Sequence, residues 1–483
     1  MNWVKRIAAV VGLGLVALAT VLLINTLRYK PPPIPDTKAA DISVDVEAAA
    51  ALLSRAITFK TMSTQPDNGD FDGFLSFLVD VYPQVHQVMT RQMLDQKTPL
   101  YTWQGSDAAA RPILLAAHYD VVPIAFDSLN DWVHPPFSGT IDQDFVWGRG
   151  TLDNKGALIA MLSVVEQMIA EGFQPERTIY FSFGGDEEVG GDGAASVAAY
   201  LTEQGVRLDW ALDEGSFVLQ DIVPGLDVPV ASINLSEKGY VTLSLTAKGA
   251  GGHSSMPPRE TAVGQLAKAV ARVQDNPMPG GLDGVSESFF DALGRHFSFG
   301  QRLVFANRWL FEPLLEGILS AAPSTDAMLR TTTAPTMLSG SPKENVLATQ
   351  ARAAINFRIH PRDTVDGIIE HVRRVVDDPG IEIDIIGGLQ SEASPVAGND
   401  TDGYRDIEAA IRGAFGPIAS VPGLTIAATD ARHYAKAADH AYRINPFRIT
   451  EDDLNRFHGL NERLSLENLE RGMIFYRLLL ERQ

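Results

Sequence analysis

The chain has 483 residues, 45% of them hydrophobic, which is enough for a sizeable core and for about three domain-sized units or two larger ones. Its 60 acidic against 40 basic residues leave a formal charge of −20, which argues against nucleic acid as a partner, because a duplex-binding surface needs basic patches. The absence of cysteine excludes disulfide scaffolds, cysteine-ligated metal sites and thiol nucleophiles, and is neutral on redox compartment.

Lys5 and Arg6 precede an uncharged run of 21 residues, Ile7 to Leu27, which Arg28 and Lys30 close. A helix of about 20 apolar residues spans a bilayer. A cleaved signal peptide is the alternative. It has a shorter apolar region with a small-x-small site near its end, whereas Ala17 and Ala19 lie inside this run. The run is therefore expected to stay as a single-pass N-terminal anchor. Basic residues flank both ends and orient it weakly, but a lone anchor ahead of a large globular part is expected to leave that part extracytoplasmic. Pro31, Pro32, Pro33 and Pro35 then form a stiff spacer.

The globular pattern starts near residue 45. Val46–Ile57 reads as a helix and Pro112–Ala117 as a buried strand. Asn154–Glu171 has helical periodicity, and Arg177–Phe183 is a β-branched and aromatic strand. Ser196–Gly205 reads as helix and Leu208–Leu212 as strand, so strands alternate with helices, as in a mostly parallel, helix-covered sheet. Near Ser236 the character changes. Tyr240–Lys248 alternates as an antiparallel strand with one wet face, and a helix follows at Glu260–Val273. Gln350–Ile359 is a second alternating strand and Val365–Val376 a second helix. This is an α+β unit inserted into the larger α/β domain, whose pattern returns near residue 395 and ends in a helix, Leu464–Arg482. Residues 286–320 are rich in Phe, Trp and Leu and predict two apolar helices. They suit packing within the inserted unit or against a second subunit, and equally a lid for acyl chains or a membrane-facing patch.

Four segments at predicted strand ends carry polar chemistry. The first holds His118 and Asp120, an imidazole with a carboxylate able to orient it. The second, Gly148 to Gly156, is a glycine-rich turn containing Asp153; it matches neither a phosphate loop nor a dinucleotide fingerprint. The third holds Asp186, Glu187 and Glu188 between glycine pairs, and the fourth Asp213 and Glu214. A fifth, farther on, is Arg456-Phe-His458-Gly-Leu-Asn461-Glu462. Each has a structural explanation alone: a helix cap for Asp153, a solvated turn for the acids, a packed histidine. Together they place two imidazoles and several carboxylates at the carboxyl ends of strands, where open α/β sheets gather ligands. That set suits two divalent ions and a free acid serving as base.

In order and spacing these motifs resemble the co-catalytic zinc metallopeptidases of the aminoacylase/carboxypeptidase family. The likeness covers residues 45–483 and runs most strongly to carboxypeptidase S and the N-fatty-acyl-amino-acid synthase/hydrolases. It rests on Ala-His118-Tyr-Asp120-Val-Val-Pro, Gly148-x-Gly-x-x-Asp153-x-Lys-Gly156, Asp186-Glu-Glu188-x-Gly-Gly, Thr429-Asp430-x-Arg432-His433-Tyr434 and the 456–462 segment. The resemblance implies two zinc ions per subunit, with Asp153 bridging, His118 and Asp213 completing one site, and Glu188 and His458 the other. Asp213 is preferred to Glu214 because it takes the family's ligand position. Glu187 is implied as the base that moves a proton from the attacking water to the leaving amine, and Asp120 as the residue orienting His118. His253, in Gly251-Gly-His253-Ser-Ser255, is implied as an oxyanion donor reaching a partner subunit's site in a homodimer. Asn345 and Arg358 are implied as substrate-binding residues. Two departures bear on the substrate pocket. No arginine stands in Gly387–Glu392, where some relatives have one, and Ala427-Ala428 precede Thr429-Asp430 where many have Gly-Gly.

The expected organisation is an anchor at 1–30, a Pro-rich linker at 31–44, a catalytic domain at 45–237 and 393–483, and an inserted dimerisation or lid domain at 238–392. The expected activity is hydrolysis of the amide bond of N-acyl amino acids or of C-terminal residues in short peptides, with the reverse condensation open to the same site. A single-metal, manganese or cobalt amidohydrolase, and an inactive membrane-tethered binding protein, are the alternatives.

Overall fold

The computed structural model describes residues 2–33, 39–64, 70–226 and 228–483. Pro35, the last proline of the expected spacer, lies outside the described residues. The chain divides into two compact units: Met1–Ile34, Pro224–Asp227 and Tyr240–Glu392 form one, and Pro35–Val223, Val228–Gly239 and Ala393–Gln483 the other.

The larger unit is built on a ten-stranded sheet. From one edge the strands are Thr90–Met93, Pro99–Trp103, Ile179–Gly184, Ile113–His118, Leu208–Asp213, Ala438–Arg443, Val230–Glu237, Val218–Leu219 and Arg448–Ile449, with Ala419–Thr425 also paired to Val230–Glu237. The centre is parallel: Ile113–His118 pairs in parallel with both Ile179–Gly184 and Leu208–Asp213. Pro99–Trp103 and Val230–Glu237 make antiparallel pairs outside that centre. The sheet is thus mixed, where the alternation of strands and helices predicted a mostly parallel one. Two of the antiparallel pairs, Thr90–Met93 with Pro99–Trp103 and Val218–Leu219 with Val230–Glu237, join strands with no helix between them and so leave no crossover signal to read.

Ile113–His118 is buried at every position, which explains its continuous apolar run. Helix Lys155–Ala170 is buried around most of its circumference, since it packs against both Val46–Ile57 and Leu466–Leu480. Two predicted ends move. The helix expected from Ser196 begins at Asp192, and the C-terminal helix begins at Leu466 because Arg463–Ser465 pairs with Phe145–Trp147.

The smaller unit holds a four-stranded sheet ordered Thr332–Ser339, Gln350–Ile359, Gly239–Lys248 and Ile381–Ser391. Val241, Leu243 and Leu245 alternate inward beside Ala353, Ile355 and Phe357, and helices Ala262–Asp275 and Val365–Val376 complete that core. The 286–320 region forms three helices, Gly284–Gly294, Phe299–Phe305 and Arg308–Leu319, where its composition predicted two. Ser298 and Gln301 form a capping box that restarts the chain at Phe299, a local signal masked by the run of aromatics. The N-terminal helix, Asn2–Arg28, is long and apolar enough to cross a membrane by length and composition.

Candidate metal centre

Three neighbouring parallel strands set the site, all of it within the larger unit. His118 ends its strand level with Gly184, after which come Glu187 and Glu188. On the other side of the His118 strand, Asp213 ends Leu208–Asp213 and Glu214 follows. Parallel neighbours end on one edge of a sheet, so the acids and the imidazole meet there.

Asp153 occupies the middle. Its Oδ1 lies 2.9 Å from His118 Nε2 and its Oδ2 3.1 Å from His458 Nε2, so one carboxylate spans two imidazoles. The Asp153–Asn154 peptide is cis, and Asn154 rather than Asp153 takes the N-cap position of helix Lys155–Ala170. The helix-cap explanation of Asp153 therefore does not hold. Glu214 Oε1 lies 3.4 Å from His118 Nε2, and Glu188 Oε2 3.3 Å from His458 Nε2. Three overlapping groups result, His118–Asp153–Glu214, His118–Glu187–Glu188 and Asp153–Glu188–His458, each with its ligand atoms within 4.8 Å of one another.

The position the resemblance assigned to Asp213 is the main difference. The carboxylate that meets His118 and Asp153 is that of Glu214, and Asp213 belongs to none of the three groups, although its buried Oδ2 has no hydrogen-bond partner and a cation would satisfy it. Adjacent residues at a strand end project to opposite sides, so a one-residue choice changes which acid faces the cluster. Asn154 and Asn445 both donate to Glu214 Oε2, at 2.9 and 3.2 Å, and aim it.

Asp120 is fully buried and does two jobs. Its carboxylate oxygens accept the Glu187 and Glu188 backbone N–H groups, each at 3.1 Å, which pins the acidic turn. Its Oδ1 also lies 3.3 Å from His118 Nδ1, which directs Nε2 of that ring to the cluster.

Two supports were not read from the sequence as site residues. Glu462 is fully buried; it accepts N–H groups from Gly150, Leu152 and Asp153 at 3.0, 2.9 and 3.2 Å and pairs with Arg149 at 2.6 Å. It ties the His458 loop to the Asp153 turn. Asp430 stands against the acidic loop: a Cβ on Gly191 would fall 2.0 Å from its Oδ1. Arg432 and His433 hold the Gly190 carbonyl at 2.8 and 3.1 Å. Both acids stand in motifs recognised from the sequence, but these contacts span 239 to 313 residues of chain and leave no local pattern.

Crowded negative charge sets the proton affinities. Burial pushes Glu187 well above the ordinary carboxylate range, and the charges of Glu214, Asp430 and Glu188 add to it. Burial carries Glu188 to about 7 against the opposing His458 hydrogen bond. Burial also raises Asp153, but its hydrogen bonds from His118 and His458 outweigh that and hold it well below the usual range. Hydrogen bonds to Asp153 and Glu188 lift His458 to about 10. The cluster therefore attracts positive charge strongly. Glu188 Oε1 is buried and has no hydrogen-bond partner, which a cation would supply. Imidazole and carboxylate donors without thiolate suit zinc and other divalent ions, so the residues fit a metal.

His253, Asn345 and Arg358 belong to the smaller unit. His253 and Asn345 are exposed and neighbour each other: the Ser254 N–H donates to the Asn345 carbonyl at 3.1 Å. Arg358 is half-buried on its strand with its guanidinium 4.8 Å from the Tyr240 ring centroid.

An α/β fold with a mixed sheet, two imidazoles astride a carboxylate and a half-buried acid beside them define a metal-dependent peptidase or amidohydrolase. A model of Peptidase family M20/M25/M40 matches residues 114–482. The chain is 38% identical over 478 residues to the probable carboxypeptidase S-like 2 of Dictyostelium discoideum, covering 96% of this chain and 91% of that one. It is 37% identical over 483 residues to the N-fatty-acyl-amino acid synthase/hydrolase PM20D1 of Xenopus tropicalis, covering 97% and 93%. It is 30% identical over 440 residues to carboxypeptidase S of Saccharomyces cerevisiae, covering 80% and 74%. The chain belongs to peptidase family M20/M25/M40. Among solved structures, the M20 family metallo-carboxypeptidase Sso-CP2 of Sulfolobus solfataricus shares the fold, with a TM-score of 0.65 at 18% identity over 90% of this chain and 98% of that one.

Proposed function

We propose that the chain is a membrane-anchored dizinc amidohydrolase that releases an amino acid from an N-acyl amino acid or from the C-terminus of a short peptide. The observation that carries this reading is the Asp153 carboxylate spanning His118 and His458 while the half-buried acid Glu187 stands beside them. His118, Asp153 and Glu214 would hold one ion, and Asp153, Glu188 and His458 the other. Such a pair supplies a more acidic water and a polarised amide carbonyl.

The chain's own residues do the rest. Glu187 takes the proton of the attacking water and gives it to the amine as the C–N bond breaks. Its raised proton affinity suits an acid that must hold that proton between the two events. Asp120 keeps His118 in one tautomer. His253 Nδ1 accepts the Ser255 N–H at 3.1 Å, so its proton sits on Nε2, as an oxyanion donor requires. We assign that role to His253 in the site of the partner subunit of a homodimer, with 238–392 as the dimerisation and lid domain. Arg358 grips the substrate's carboxylate and Asn345 its carbonyl. The reverse condensation uses the same groups, with direction set by concentrations.

Relatives named as carboxypeptidases and as N-fatty-acyl-amino acid synthase/hydrolases share one requirement, an amino acid with a free carboxylate on the amine side. The test uses the full-length protein in detergent. Metal content is measured, then amino acid release from an N-long-chain-acyl amino acid and from a matched dipeptide. Two zinc ions per chain are expected, with turnover that Glu187→Gln lowers by about 10²- to 10⁴-fold. One ion per chain, or manganese or cobalt in place of zinc, returns the alternative metal readings. Two ions with no turnover of either substrate means a narrower acyl group than these two, and no bound metal overturns the reading.

A further inference from the structure

The N-terminal helix Asn2–Arg28 and the helices Phe299–Phe305 and Arg308–Leu319 lie in one compact unit. The N-terminal helix is exposed along most of its length; in its last turns one face is covered, with Leu22 and Asn25 half-buried and Thr26 fully buried. Asn25 Nδ2 donates to Asn307 Oδ1 at 2.9 Å, and Asn307 Nδ2 donates to the Leu22 carbonyl at 3.2 Å. The Tyr29 hydroxyl donates to the Asp291 carbonyl at 2.6 Å, and the Arg295 guanidinium stacks 4.7 Å from the Tyr29 ring centroid. An amide inside an apolar run needs a partner; Asn307 Oδ1 supplies one for Asn25, and the Leu22 and Leu303 carbonyls accept from Asn307.

These bonds fix a level. Leu22 lies five residues inside the end of the uncharged run at Leu27, which is about 7.5 Å along a helix axis at 1.5 Å per residue. Asn307 bonds there, and the next residue, Arg308, opens the helix Arg308–Leu319. If the run up to Leu27 is within the bilayer, that helix starts at the depth where interfacial helices seat their apolar faces, roughly 5–10 Å below the headgroup boundary.

The face of this helix fits that level. Trp309, Leu310, Leu314 and Ile318 are 61%, 42%, 53% and 59% exposed, and Pro313 and Gly317 stand exposed among them. At 100° per residue these fall on one half of the helix; Glu312 and Glu316 each lie about 160° from Leu314, and Glu316 comes within about 20° of Trp309 at the edge of that half. Leu315 turns into the unit's own core with Leu282, Phe290 and Leu329, and Leu319 packs against it. Such an apolar half-surface on a soluble protein would be unusual, and Trp at its leading end is the residue that favours the membrane interface.

We propose that the Arg308–Leu319 helix lies in the membrane surface beside the anchor, with Trp309, Leu310, Leu314 and Ile318 among the lipid acyl chains. This rests on the reading of Asn2–Arg28 as a membrane helix. The occupant is lipid because the hydrogen bonds with Leu22 and Asn25 hold this face at the level of a helix that lipid would surround, and no charged side chain falls between Leu310, Leu314 and Ile318.

The chain has no cysteine, so single labelling sites need no background removal. Leu314→Cys, Glu312→Cys and Leu15→Cys would each carry a nitroxide in the full-length protein, reconstituted into phosphatidylcholine–phosphatidylglycerol vesicles. Accessibility to oxygen is compared with that to a water-soluble nickel chelate. The label at 15 is expected to be lipid-exposed. The oxygen-to-nickel ratio at 314 is expected to be several-fold above that at 312. A lipid-exposed label at 15 with nickel access at 314 equal to that at 312 overturns the proposal and leaves the anchor standing. An aqueous label at 15 removes the anchor reading and the proposal with it. A label at 314 closed to both reagents, or broadened by a second label nearby, means a protein occupant and also overturns it.

Discussion

Asp213 and Glu214 are neighbours in the chain, both acidic and both able to bind a metal, so residue identity does not choose between them. Geometry favours Glu214, which lies 3.4 Å from His118 and is aimed by Asn154 and Asn445. Glu214→Gln is expected to weaken metal binding at least about 10-fold, the scale of losing even a supporting group of a metal site, whereas Asp213→Asn keeps two ions. Metal analysis after dialysis against a graded chelator separates them, and loss in Asp213→Asn alone would reverse the assignment. Glu462 makes a different prediction. Its carboxylate joins Arg149 at 3% and 0% side-chain exposure, so Glu462→Gln leaves a buried guanidinium without its counter-charge. A loss of about 3–5 kcal/mol is expected, read as a lowered unfolding midpoint in the metal-loaded protein. The residues of the cluster were legible in the sequence because each sits in a short motif at a strand end. Glu462 and Asp430 stood in such motifs too, but their work depends on partners as far as 313 residues away.

At the scale of elements, the turn from Gly148 to Gly156 shows why glycines crowd the site. A Cβ on Gly156 would stand 2.2 Å from the Thr151 carbonyl oxygen and 2.9 Å from Leu464. Gly156→Ala therefore has to displace the turn that carries Asp153, at a cost of about 1–3 kcal/mol. The expected result is weaker metal binding together with a lower unfolding midpoint, whereas a loss of stability with full metal affinity would show that the turn moves as a rigid piece. Elements whose period matches their burial were legible: Gln350–Ile359 and Val365–Val376 begin and end where their patterns do. Edge strands were not. Thr90–Met93 is exposed at all four positions, so no apolar alternation marks it.

At the scale of the whole molecule, the partner-subunit role assigned to His253 predicts complementation. Glu187→Gln and His253→Ala are each expected to be inactive as homodimers. Mixed and allowed to exchange subunits, they should recover about a quarter of wild-type activity, because half the dimers are then mixed and one of their two sites is intact. No recovery, with exchange verified by mass, would place His253 in the site of its own chain or outside the reaction. The N-terminal helix predicts that the full chain partitions with membranes, which flotation of the purified protein with vesicles checks. Its uncharged run was plain from composition, whereas the docking of its last turns through Asn25, Thr26 and Tyr29 was not.

The amino-acid order alone settled the class of chemistry. Imidazoles and carboxylates at strand ends, no cysteine and a helix-covered sheet leave few reactions open, because these are properties of short segments and their periods. The fold was needed for everything that depends on direction across long distances in the chain. It set Glu214 beside His118, brought Asp153 between two histidines 340 residues apart, set Glu462 behind the turn and turned an apolar half of a helix outward. A side chain's direction follows from the pairing and packing of its whole element, and a sequence window does not contain those partners.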